Sequence, residues 1–290
     1  MGAFTRSIDR LYDGLEQKLE SSASRRLMGS GLVAAFLVSL AAIALGRYGM
    51  LPEPFAAWVP TSFFAAIDVA FTTLMLVEVM LLVLSLAHSF TSATGKQFEI
   101  LSLILLRKSF KELTGLDHTF AWDDVAESAL HMLSDAGGAL LVFLIVVLFY
   151  RVKHAYVSIA DPDELQGFVT AKKLVALLMM LVFCALLIDE LVIALLYGAE
   201  AVFPFFEAFY TVLIFSDVLI VLLSLRYTAG FVTVFRNSGF AVATVLVRLA
   251  LVAPAYLNAL LAVAAASFAL LLLLIYNLAM KTAPTRPAEQ

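Results

Sequence analysis

This chain is short of charge. Only 14% of its 290 residues are Asp, Glu, Lys or Arg, and 62% are hydrophobic, whereas soluble globular domains carry about 25% charged residues. With a mean hydropathy of +0.97, an ordinary soluble domain is excluded and an integral membrane protein is expected. The net charge is −4 and no long basic run occurs, so the concentrated positive face that nucleic acid needs is missing. A lone cysteine, Cys184, excludes an internal disulfide and any cysteine-based metal cluster; set in an apolar run, it reads as a small core residue. Also missing are GxSxG, HExxH, a Walker loop and a dinucleotide fingerprint, so neither an enzyme nor a cofactor is expected. Arg226, Arg236 and Arg248 stand ten and twelve residues apart, too sparse for the Arg-rich helix of a voltage sensor.

What is present is long apolar segments. Crossing the hydrocarbon takes roughly 17 to 25 helical residues, and eight segments meet or approach that: about 27–46, 63–88, 97–114, 136–152, 174–198, 207–230, 239–253 and 255–280. The third and seventh are short and charged, and are credible only as helices shielded by the others, since an Arg facing lipid near the centre costs at least about 2.5 kcal/mol. Residues 1–26 contain Asp9, Asp13, Glu16 and Glu20 and place Ile8, Leu11, Leu15 and Leu19 at helical intervals. They read as a short solvated or interfacial amphipathic helix ahead of a retained span. Asp161-Pro162 reads as a helix start.

Orientation follows from the cations. With both termini cytoplasmic, fourteen Lys and Arg fall inside, among them Arg25, Lys96, Lys172 and Lys173; the other five are Arg47, Arg107, Lys108, Lys111 and Arg248.

Residues 67–86 and 206–225 read as one stretch written twice. Asp68, Glu78 and Ser85-Leu86 recur at the same intervals as Glu207, Asp217 and Ser224-Leu225. The repeat divides the chain into four-helix units at 27–157 and 158–281, after a cytoplasmic segment 1–26 and before a cytoplasmic tail 282–290. An even number of spans per unit gives both copies the same topology, related by a pseudo-twofold along the membrane normal. The expected fold is therefore all-α, with eight transmembrane helices in two repeats of parallel topology.

Charges inside such segments usually pair or face water. Glu78 lies ten residues before His88 and Arg107 ten after Gln97; Asp217 lies ten before Tyr227 and Arg248 ten after Ser238. At 1.5 Å per residue each of the four sits about 15 Å from the inner surface, so Glu78 can meet Arg107 and Asp217 can meet Arg248. One reading makes these pairs structural, fixing how neighbouring helices dock. The other has them line a polar path for an ion or a proton. Asp189-Glu190 interrupt the fifth span and have no counterpart in the first, which marks the second unit as the functional half; placement near the outer interface or pairing with Arg248 is the alternative. Asp123, Asp124, Glu127, His131 and Asp135 read as a solvated face with no second His to complete a metal site. His88 and His118 read as isolated and interfacial, and Gly137-Gly138 as a kink or close packing point.

The run from Phe215 to Asn277, through Ser216-Asp217-Val218, Gly230-Phe231 and Val247-Arg248-Leu249-Ala250-Leu251-Val252, resembles the PsiE family of phosphate-starvation-inducible bacterial membrane proteins. Glu78, the stretch from Phe98 to Arg107 and the helix to Tyr150 resemble it more loosely. The resemblance implies a four-helix unit, here doubled, and a bacterial inner-membrane location; it carries over no catalytic residue. Two functions then compete: a channel or transporter for an ion or small solute using Glu78, Arg107, Asp189, Glu190, Asp217 and Arg248, or a non-transporting protein of stress adaptation whose pairs are structural. The partners these features call for are the lipid bilayer and that ion or solute, with a homo-oligomer left open.

Overall fold

The computed structural model describes residues 3–52, 59–60, 62–112, 122–153, 162–197, 205–227 and 230–282. Those residues form helices α1 (Ala3–Glu20), α2 (Ser22–Arg47), α3 (Ala65–Ser85), α4 (Phe90–Lys111), α5 (Trp122–Val152), α6 (Pro162–Tyr197), α7 (Phe205–Tyr227), α8 (Phe231–Val252) and α9 (Leu257–Thr282), with no strand among them. Seven helices, all but α1 and α4, are long and apolar enough to cross a membrane. The chain is an all-helical, polytopic membrane protein.

Local chemistry sets several helix ends. Ser21 and Ser89 cap α2 and α4 by accepting from the backbone N–H of Ser24 at 3.1 Å and Ser92 at 3.3 Å. α6 opens at Pro162, where the missing N–H is no loss; Asp161 and His118 lie outside the described residues. α4 falls outside the seven because Lys96, Glu99, Arg107, Lys108 and Lys111 dilute its apolar run. One side of it is nevertheless buried, with Thr94, Gln97, Phe98, Leu101, Ser102 and Leu105, while Leu103, Leu106 and Phe110 are exposed on the other. Its neighbours supply the shielding that its sequence demands.

Neighbours in sequence are neighbours in space: α2 packs on α3, α3 on α4 and α4 on α5, and likewise α6 on α7, α7 on α8 and α8 on α9. Between the two sets, α4 lies against α8, α5 against α9 and α3 against α6. Lys108, late in α4, donates to the carbonyl of Leu251, late in α8, at 2.8 Å, so these helices run the same way. In α5 and α9, Asn258 donates to Asp135 at 2.8 Å nearer their starts and Asn277 to the Val152 carbonyl at 2.9 Å nearer their ends, so this pair is parallel too. Small residues bring them close. A Cβ on Gly138 would sit 2.6 Å from the Ala259 Cβ, and Ala262, Ala265, Ala266 and Ala269 continue the buried seam of α9. Gly137 faces open space, so only one of the two glycines is a packing point.

The amphipathic helix is docked rather than merely solvated. Ile8 and Tyr12 are buried while Leu11 is exposed, so the contact face is rotated from the stripe its leucines suggest. The Tyr12 hydroxyl donates to the Leu84 carbonyl at 2.5 Å. Burial, and then the charge of Glu16, push its ionisation well above the usual tyrosine range, so it stays a donor. Lys173 reaches Asp13 at 2.8 Å and Asp9 at 3.4 Å, and His88 is 3.0 Å from Glu16. His88 is therefore not isolated. Opposite charges clamp α1 across the ends of α3 and α6.

At the other end of the bundle Lys111 pairs with Asp68 at 2.9 Å and His131 with Glu112 at 3.2 Å. Asp135 is buried against Asn258, a correction to the solvated face expected there. The helix α5 continues unbroken through that acidic stretch and turns Asp135 inward, while Glu127 stays exposed. The side chains of Asp123 and Asp124 lie outside the described residues.

Candidate functional site

Of the six residues that the sequence singles out, four come together as two pairs. Arg107 Nη1 of α4 contacts Glu78 Oε1 of α3, the Glu78 side chain being 7% exposed and that of Arg107 24%. Arg248 Nε of α8 lies 3.6 Å from Asp217 Oδ2 of α7, with side chains 0% and 4% exposed. The second contact is an ion pair too long for a hydrogen bond. Neither Nη1 nor Nη2 of Arg248, nor the hydroxyl of the neighbouring buried Tyr210, has a hydrogen-bond partner among the described residues.

The surroundings of the pairs differ. A crevice of about 260 Å³ runs from the α1 end of the bundle to Glu78. Leu19 and Glu20 of α1, Arg25 and Met28 of α2, and Lys96 and Glu99 of α4 line its outer part, with His88 and Ser85 along the way. Lys96 and Glu99 pair at 3.5 Å. The second Glu78 oxygen, Oε2, has no hydrogen-bond partner among the described residues. At Asp217 there is instead a cavity of about 20 Å³, to which α4, α6, α7 and α8 contribute, with Leu86 just past the end of α3. Both acids are buried, but one lines a wide crevice that charged side chains share and the other a cavity with room for about one water.

Asp189 and Glu190 join neither pair. On α6 Asp189 is exposed and Glu190 half-buried, and their neighbours Ile188, Leu191 and Val192 are exposed apolar residues. Among the described residues neither forms an ion pair with Arg248, whose partner is Asp217. The acids lie seven and eight residues before the end of α6 at Tyr197, roughly 11 to 12 Å along the axis, towards the end opposite α1. Cys184, on the same helix, is exposed rather than core. An apolar run on a helix in lipid does not distinguish outward from inward positions, which is why that reading failed.

Sequence reasoning passed over Gln97, Lys172 and Tyr210, each deeply buried. Gln97 and Lys172 line the small cavity beside Asp217. A signal was there, since a polar residue in an apolar segment is rare, but depth counting from loops was applied only to opposite charges. Among the described residues no group of three His, Cys, Asp or Glu side chains is placed to hold a metal ion.

No family model, curated protein or solved structure matches the chain.

Proposed function

We propose that the chain moves an ion or small solute across a bacterial inner membrane, with Glu78 at the inner foot of its path. The observation that carries this reading is a crevice, shared by apolar and charged side chains, that reaches a carboxylate which Arg107 contacts through only one oxygen. An acid held at mid-membrane and reached from one face can release a proton or receive a cation while its Arg partner keeps it tolerable in lipid. Two four-helix units of parallel topology, α2–α5 and α6–α9, form the scaffold, with α4 as an eighth, shielded span. The repeated packing order and the parallel pairs α4/α8 and α5/α9 support it. The bias of Lys and Arg places the α1 end, and with it both termini, in the cytoplasm.

In proteoliposomes the purified protein then conducts a measurable ion or solute flux, and Glu78→Gln abolishes it without lowering yield or thermal midpoint. Absence of any flux from the wild-type protein overturns the reading. The runner-up, a non-transporting PsiE-like protein of stress adaptation, draws support from the enclosure of Asp217 and Arg248. Under it, Glu78→Gln lowers folding and leaves no transport activity to lose.

A further inference from the structure

The small cavity beside Asp217 lies where the two sets of helices meet. Thr94 and Gln97 of α4 reach it from one set, and Lys172 of α6, Asp217 of α7 and Thr244 of α8 from the other. Two of its lining residues carry acceptors with no hydrogen-bond partner among the described residues: Gln97 Oε1, and Asp217 Oδ2, whose contact with Arg248 Nε at 3.6 Å is an ion pair only. Their residues are only 1% and 4% exposed. Leaving a buried acceptor unsatisfied costs about 1 to 3 kcal/mol, and more for a charged one. Lys172 is a donor with capacity to spare. Its ammonium spends one N–H on the His88 carbonyl and lies over the rings of Phe90 at 5.2 Å and Phe168 at 5.4 Å, whereas an ammonium offers three donors.

The demands of these groups identify the occupant. At about 20 Å³ the cavity exceeds the roughly 10 to 15 Å³ that one water requires, and a buried water makes two to four hydrogen bonds. A metal cation would join Lys172 and Arg248 around a single carboxylate. An anion such as chloride would face two acceptor oxygens. Water alone can donate to both and accept from the ammonium.

We propose that this cavity is a binding site for one structural water, which donates to Gln97 Oε1 and Asp217 Oδ2 and accepts from Lys172. The site bolts the two helix sets together across α4, α6 and α7. It also gives the enclosed Asp217 a hydrogen-bonded link to Lys172 and, through the His88 carbonyl, to the α1 end of the bundle. This holds whether or not anything is transported.

The test is infrared difference spectroscopy of the full chain in proteoliposomes on transfer from H2O to D2O, with the Asp217 carboxylate band assigned by its loss in Asp217→Asn. The band shifts in the wild-type protein, and the shift falls at least fivefold in Lys172→Met and in Gln97→Leu. No shift in the wild type, or an undiminished shift in both variants, overturns the proposal. Should either variant fail to fold, an experimental density map of the wild-type protein decides. A solvent peak at hydrogen-bond distance from Gln97, Lys172 and Asp217 upholds the site. Direct closure of these side chains on one another, or a peak with the short contacts of a metal ion, refutes it.

Discussion

Glu78–Arg107 and Asp217–Arg248 place the same two charges on equivalent helices of two sets, yet one pair sits beside a crevice of about 260 Å³ and the other beside a cavity of about 20 Å³. Their neighbours account for the difference. Around Asp217, α4 of the first set meets α6, α7 and α8 of the second, with Leu86 just past the end of α3, because α4 and α3 pack against α8 and α6. Glu78 faces the periphery, where only α1, α2, α3 and α4 contribute and α2 packs chiefly on α3 and α1. Equal chemistry in the sequence thus becomes unequal hydration in the fold. What a buried acid can do depends on which helices are left to cover it.

The sharpest way to break this comparison is to remove each arginine. Arg248→Met strands Asp217 in a closed interior and should cost about 3 to 5 kcal/mol, read as a large fall in thermal midpoint in detergent. Adding Asp217→Leu to it should restore most of the loss, since a matched apolar pair is often as stable as the ions it replaces. Arg107→Met should cost less, roughly 1 to 3 kcal/mol, because the crevice lets solvent approach Glu78. Equal losses would mean that the two sites are equally dry.

A smaller contrast of the same kind lies within α5. Gly138→Ala drives a methyl into Ala259 and should destabilise by about 1 to 3 kcal/mol. Gly137→Ala meets nothing within 4 Å and should be neutral or stabilising by up to about 1 kcal/mol. Similar losses at both would remove the close α5–α9 approach from the account.

The smallest effects belong to α1, which walls the crevice at Glu78 and does not reach Asp217. Lys173→Met breaks its contacts with Asp9 and Asp13 and should loosen it by about 0.2 to 1 kcal/mol, detected as faster proteolysis of residues 3–20. The pH dependence has a definite sign. The ionisation of folded Tyr12 is raised above its unfolded value of about 10, so its contribution is complete below that pH and is lost as pH rises through the folded value. Proteolysis of α1 that slows with rising alkalinity would contradict the docking of Tyr12.

Much of this was legible in the chain. Counting residues from polar loops places Glu78 beside Arg107 and Asp217 beside Arg248, because a helix converts sequence interval into depth. That one side of α4 is buried was legible for a related reason, since Arg107 needs shelter from lipid. What periodicity does not carry is direction around the helix. Cys184 and Asp189 sit in runs that are apolar on every side, so their exposure was not readable. The docked face of α1 depends on Tyr12 meeting the Leu84 carbonyl, 72 residues away, and no local pattern announces such a contact. The same holds for the crevice, which is set by how α1, α2, α3 and α4 come together rather than by any motif. Asp189-Glu190 drew attention to the second set, whereas the larger crevice lies beside Glu78 in the first.

The unequal exposure of the two acids is tested most directly by chemical access from the α1 side. In a Cys184→Ser background, Glu78→Cys and Asp217→Cys are treated with a charged, membrane-impermeant thiol reagent in proteoliposomes that present that side outward. The account predicts rapid modification at position 78 and protection at position 217. Protection at both positions, or equal reaction at both, would contradict it.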